Sequence, residues 1–210
     1  MIAAHAPIHG SRISPAAEAM PPIVFVINDD AAFRESLESL IRSAGWQPKV
    51  FACAQEFLVH APLSAPSCLV LDVSLPDING LELQKRVAAD RGHVPLIFVA
   101  GYGDVPTAVR AMKEGALDFL TRPFNETELL AVIGQALDRS RAMLVHEAEI
   151  RALSECHASL TPREREVMAL VVLGLLNKQV GFELGISEIT VKAHRSSMMR
   201  KMRIPRWPSW

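Results

Sequence analysis

The chain has 210 residues, 50% hydrophobic and 21% charged, with a net charge of −1; that balance belongs to a core-forming chain and excludes a wholly disordered one. No apolar run approaches the roughly 20 residues of a membrane-spanning helix, and the N-terminus lacks the basic start and apolar stretch of a secretory signal, so a cytoplasmic chain without a membrane partner is expected. Cys53, Cys68 and Cys156 are odd in number and follow no Cys-x-x-Cys spacing, which argues against a disulfide framework or a zinc site and for small apolar side chains.

Residues 1–21 read as a flexible arm, with Met20 as an alternative start. From 22 to 138, short apolar runs alternate with helical patterns. Residues 23–27, 68–71 and 96–99 are continuous apolar runs of strand length, the pattern of strands buried on both faces of a parallel sheet. Residues 47–51 and 117–120 are shorter strand candidates.

Phe33, Leu37, Leu40, Ile41 and Ala44 recur at helical spacing, and Gly45 ends the helix. Residues 54–60 suit a short second helix, and Leu81, Leu83 and Val87 a third beginning after Gly80. Asp104 is a candidate cap for a fourth, with Val105, Val109 and Met112 on one face and Gly115 at its end. Asn125 with Glu128 resembles a capping box that opens a fifth. Five β-α repeats predict a doubly wound, five-stranded parallel sheet, with its ligand site at the carboxyl ends of the strands.

Residues 139–159 contain no glycine or proline and read as a helical linker. The last segment, 160–210, is all-α. Thr161-Pro162-Arg163-Glu164 combines a cap, a proline at the first helical position and a glutamate at the third. A second short helix over 177–184, a turn at Gly185-Ile186 and a third helix from Ser187 to about Arg203 give the arrangement of a major-groove reader. Charge divides the same way: residues 1–160 hold 13 Lys+Arg against 19 Asp+Glu, whereas residues 161–210 hold 9 against 4. The basic part suits a phosphate-bearing partner.

Asn28-Asp29-Asp30, Asp72 and Ala100-Gly101 fall at strand ends. Two readings of the acids stand. Asp29 and Asp72 repel each other and are relieved by a hard divalent cation, or Asp29 and Asp30 cap the first helix.

Four words carry a resemblance: Leu71-Asp72-Val73-Ser74-Leu75-Pro76-Asp77-Ile78-Asn79-Gly80; Gly103-Asp104-Val105-Pro106 with Ala108-Val109-Arg110-Ala111-Met112-Lys113; Asp118-Phe119-Leu120-Thr121-Arg122-Pro123-Phe124; and Asn177-Lys178-Gln179 followed by Thr190-Val191-Lys192-Ala193-His194-Arg195. Through them residues 23 to about 140 resemble a CheY-like receiver and residues 160–203 a LuxR-type helix-turn-helix. The combination is that of the NarL/FixJ response regulators of two-component phosphorelays.

The resemblance implies that Asp72 accepts a phosphoryl group from a sensor histidine kinase. Asp29, Asp72 and the carbonyl of Ser74 would hold Mg2+, and Asn28 would hold it weakly through water. It also implies a homodimer through the fourth and fifth receiver helices and double-stranded DNA as the output partner. Lys192, Ala193 and Ser196 would face the groove with Thr190, His194 and Arg195 beside them, and Lys178 would meet a phosphate. Val191, Met198 and Met202 would be core.

Three positions depart from the family. Asn28 replaces an acid and lowers the negative charge available to a metal. Ala100 replaces Thr or Ser and loses a hydrogen bond to a charged group, worth roughly 1.5–3 kcal/mol. Arg122 replaces Lys with a planar fork. Because the family couples that hydroxyl to the aromatic at Phe119, weak or phosphate-independent switching is expected; Tyr102 is either a substitute hydroxyl or a surface aromatic. The family also has a last helix after Arg203. Pro205 and Pro208 preclude it here, which predicts an exposed apolar face, partly covered by Trp207 or Trp210, and weak DNA binding.

Two alternatives are an interaction protein that pairs through its receiver, and a haloacid-dehalogenase-like phosphatase. The second needs another acid two residues after its aspartate, where this chain has Ser74, so a non-enzymatic regulator is the expected class.

Overall fold

The computed structural model describes residues 21–60, 65–101 and 105–204. The chain forms two compact units, Met1–Val145 and His146–Trp210. The first contains β1 (Ile23–Ile27), β2 (Gln47–Phe51), β3 (Ser67–Leu71), β4 (Leu96–Ala100) and β5 (Asp118–Thr121). Between and after them run α1 (Ala31–Ser43), α2 (Ala54–Val59), α3 (Gly80–Asp90), α4 (Val105–Lys113) and α5 (Glu126–Ala158). All pairings are parallel, in the order β2-β1-β3-β4-β5. The order reverses between β1 and β3, so the crevice at their carboxyl ends is the place for a ligand.

Alternate residues of each strand face opposite layers. Ile23, Phe25, Ile27, Leu69, Leu71, Leu96 and Phe98 pack with Phe57 of α2, Leu81, Leu83 and Val87 of α3 and Ala111 of α4. Val24, Val26, Cys68, Val70, Ile97 and Val99 pack with Leu37 and Ile41 of α1 and with Leu129, Ile133 and Leu137 of α5. Every residue of β1, β3 and β4 is buried, including Ser67, a polar residue that opens β3 one position before the predicted apolar run.

Cys68 is one of these core side chains, and burial pushes its thiol well up. Cys53 and Cys156 are half-buried and free.

Several local expectations change. β5 starts at Asp118, one residue later than the apolar run suggests, although Leu117 N still donates to Leu96 O of β4 at 2.8 Å. Asn125 caps α5 by accepting from Thr127 N at 2.8 Å, a bond to the second helical residue rather than a capping box through Glu128. The fifth receiver helix and the linker are one continuous helix, and the division between the units falls inside it. Val105, Val109 and Met112 do share a face of α4, but it is turned to solvent, 75%, 45% and 45% exposed, while Ala111 faces the sheet.

In the second unit, α6 (Pro162–Val172), α7 (Asn177–Leu184) and α8 (Glu188–Lys201) follow the end of α5. Thr161 and Glu164 form the predicted capping box at the start of α6. Gly185 takes the left-handed conformation, φ 65°, that closes α7 and lets Ser187 cap α8. Val167, Val180 and Val191 form the core; Met198 is buried, and Met202 is half-buried at the end of α8. Helix α8 ends two residues before Arg203 and is the last helix among the described residues. The expectations for residues 1–20, Tyr102, the Asp104 cap, Pro205, Trp207, Pro208 and Trp210 lie outside the described residues.

Candidate functional site

Asp72 follows the last residue of β3, and its backbone N–H still donates to the Ile27 carbonyl of β1 at 3.1 Å. The side chain is therefore held at the switch between β1 and β3, where it is 12% exposed. Three donors meet its carboxylate. Asn28 Nδ2 and Arg122 Nη2 donate to Oδ2 at 2.7 and 2.9 Å, and Ser74 N donates to Oδ1 at 3.0 Å. Asn28 comes from the end of β1 and Arg122 from just after β5, so residues far apart in sequence converge on one carboxyl group.

Asn28 is 2% exposed and fully engaged. Its Oδ1 accepts from Asp30 N at 2.8 Å, its carbonyl accepts from Arg34 Nη1 at 2.6 Å, and its own N donates to Phe51 O at 3.3 Å. The bond from Asp30 N fixes the amide orientation, since only the oxygen accepts, and the NH2 group is thereby turned to Asp72. Asp29 is exposed. Asp30 is the cap of α1, accepting from Phe33 N at 3.2 Å, so the capping reading holds for Asp30.

Arg122 is braced on its other side. Its guanidinium carbon lies 3.6 Å from the centre of the Phe33 ring, and Phe33 in turn packs edge-on against Phe124 at 6.2 Å. Its backbone N donates to Ala100 O at 2.8 Å. Ala100 is buried at the end of β4, beside β3 in the sheet, and supplies a methyl group where a hydroxyl is the family expectation. Phe119 is half-buried against Phe98, with ring centres 5.9 Å apart. Phe33 and Arg34 were legible only as helix α1 positions; an aromatic one turn after the cap, paired with an arginine before Pro123, was the available signal.

This donor set does not fit a divalent cation. A hard ion needs oxygen ligands, whereas Asp72 faces an amide N–H, a guanidinium and a backbone N–H. Among the described residues no three His, Cys, Asp or Glu side chains gather into a metal-holding group. The expectation that Asn28 offers its amide oxygen to a metal-bound water is corrected: that oxygen accepts from Asp30 N, and the nitrogen faces Asp72. Ser74 pairs with Asn79 in an isolated antiparallel bridge, and Asn79 caps α3 through Leu81 N at 2.9 Å.

On α8, Lys192, Ala193 and Ser196 are exposed on one face, as predicted, while His194 and Arg195 are half-buried. Lys192 pairs with Glu188 at 2.9 Å. Arg195 donates to Asn177 Oδ1 at 3.0 Å and so ties α8 to the first residue of α7. Thr190 is half-buried, and its hydroxyl lies 2.8 Å from that of Ser187. Lys178 is exposed near the start of α7.

A strand-end carboxylate in a 2-1-3-4-5 sheet, followed in the same chain by a helix-turn-helix, defines a receiver joined to a DNA-binding output. Residues 24–134 match the response regulator receiver domain, and residues 158–206 match the bacterial regulatory proteins of the luxR family. The chain belongs to the two-component response regulators with a LuxR-type output domain.

Nodulation protein W of Bradyrhizobium diazoefficiens is 46% identical over 86% of this chain and 80% of its own length. The transcriptional regulatory protein FixJ of the same species is 42% identical over 86% and 88%. A low-resolution structure of the response regulator StyR superimposes with a TM-score of 0.80, at 42% identity, over 89% of this chain and 94% of that one.

Proposed function

We propose that this chain is a cytoplasmic transcriptional regulator that receives a phosphoryl group on Asp72 from a sensor histidine kinase and reads duplex DNA with α8. The observation that carries the reading is the convergence of Asn28, Ser74 and Arg122 on the Asp72 carboxylate at the carboxyl edge of the sheet. An Asp72 oxygen forms the new O–P bond as the P–N bond to the kinase's histidine breaks, and the leaving imidazole nitrogen takes up a proton. Arg122 supplies a cation beside the acceptor, and charge stabilisation of this kind is most of what phosphoryl transfer asks of a protein. The missing hydroxyl at Ala100 weakens the conformational response.

Supporting the dimer reading, α4 turns Val105, Val109 and Met112 to solvent, an apolar face suited to the same face of a second copy. At the output, Lys192, Ala193 and Ser196 enter the major groove with Thr190, His194 and Arg195 at the margins. Lys178 contacts a phosphate. No described helix is long and apolar enough to cross a membrane.

Fluorescence anisotropy of a labelled duplex with the full chain, repeated as salt rises, tests the output. Lys178→Ala is expected to weaken binding across sequences and to reduce the salt slope by about 1. A wild-type response that is flat with salt would overturn the reading.

A further inference from the structure

The receiver site contains its own counter-ion, bolted in place from two sides. Two acids at positions 28 and 72 would stand 2.7 Å apart, by the present Asn28–Asp72 distance, and such a pair demands a cation between them. With Asn28 the same contact is a hydrogen bond, and the demand disappears. Asp29 is exposed to solvent, and the charge on Asp72 itself is met by Arg122 at 2.9 Å. Arginine is permanently charged, so this neutralisation needs no partner from solution.

Both groups are also held against release. Arg122 lies over the Phe33 ring at 3.6 Å, a cation–π contact that adds to the ion pair, and Phe124 supports that ring from its edge. Asn28 is fixed by Asp30 N and cannot turn its oxygen to a metal without giving up that bond. To bind a divalent ion on Asp72, the site must displace a guanidinium and reverse an amide that is 2% exposed.

We infer that Phe33, Arg122, Asn28 and Asp72 form a resident-cation lock that takes the place of the divalent metal, so that this receiver rests in one charge-paired state whatever the Mg2+ concentration. Arg122 and Asn28 are the locking groups and Phe33 is a positioning residue that acts through Arg122. The inference rests on Asp72 being the receiver's input group. It deepens that reading by assigning what occupies the metal's electrostatic role.

Isothermal titration of the full chain with MgCl2 tests it without kinase, phosphate or DNA, so its failure is distinct from a failure of the phosphotransfer or DNA reading. Wild type is expected to show no saturable heat at millimolar Mg2+. Asn28→Asp/Arg122→Lys is expected to bind at least about tenfold more tightly. Phe33→Ala, which leaves every polar group in place, is expected to bind more tightly than wild type, a gain that a purely structural role for Phe33 would not produce. If the double variant does not fold, Asn28→Asp alone carries the comparison. Wild-type affinity equal to that of the acid-restored variant overturns the proposal.

Discussion

Gly80→Ala is expected to destabilise the receiver by about 3 kcal/mol, at the upper end of ordinary overpacking costs, and to remove phosphorylation of Asp72. A β-carbon at position 80 would lie 2.6 Å from the Asp72 carbonyl oxygen, 3.0 Å from Phe98 Cε1 and 3.1 Å from Val73 Cα. Two of the three obstacles are backbone and cannot swing aside. Gly80 N also donates to Val73 O at 2.9 Å, so α3 cannot retreat without breaking a bond next to the acceptor. Chemical denaturation of the full chain measures the loss, and acetyl phosphate labelling measures the acceptor. Wild-type values for both would show that α3 does not set the position of Asp72.

The second large effect concerns the output unit. Glu164 is 4% exposed, caps α6 by accepting from Thr161 N at 2.8 Å, and accepts from Lys201 Nζ of α8 at 2.7 Å. Glu164→Gln keeps the capping geometry, which tolerates either residue, and removes only the charge. Lys201, whose side chain is 28% exposed, is then left facing a neutral amide, and the charge-assisted bond that ties α8 to the start of α6 is lost. The helix-turn-helix is expected to become the first part of the chain to melt, with the receiver transition unchanged.

The same pair sets a pH dependence. Lys201 above all, then Thr161 N and Ser197, hold the Glu164 carboxyl down to about 2 from an ordinary 4.5. A carboxyl whose pKa is depressed on folding contributes fully above its unfolded value and loses that contribution as pH falls through the folded one. Stability of this unit should therefore fall between about pH 4.5 and about 2, and Glu164→Gln should remove that slope. Circular dichroism melts across the acid range check both statements.

The sheet was legible because β1, β4 and all of β3 after Ser67 are apolar runs buried on both faces. The start of α6 was legible because Thr161, Pro162 and Glu164 each satisfy a stated helix-start requirement. Edges were harder: Leu117 keeps a backbone bond to Leu96 of β4 yet lies just outside β5, and nothing local marks that boundary. The exposure of Val109 and Met112 was hidden because periodicity identifies an apolar face without saying what covers it. Asp72 and the departures at Asn28, Ala100 and Arg122 were visible as residues. Their mutual geometry was not, because Asn28 and Arg122 meet only through the strand order, and the amide orientation depends on a backbone N–H two residues away.

The most direct test of the central claim, that this receiver is held by its own arginine and responds little to phosphate, treats the full chain with acetyl phosphate and Mg2+ while recording aspartyl phosphorylation and molar mass together. Wild type should label slowly and keep its mass, whereas Asn28→Asp/Ala100→Thr/Arg122→Lys should label faster and gain dimer in proportion to label. Equal labelling with equal dimer gain in the two proteins would contradict the account.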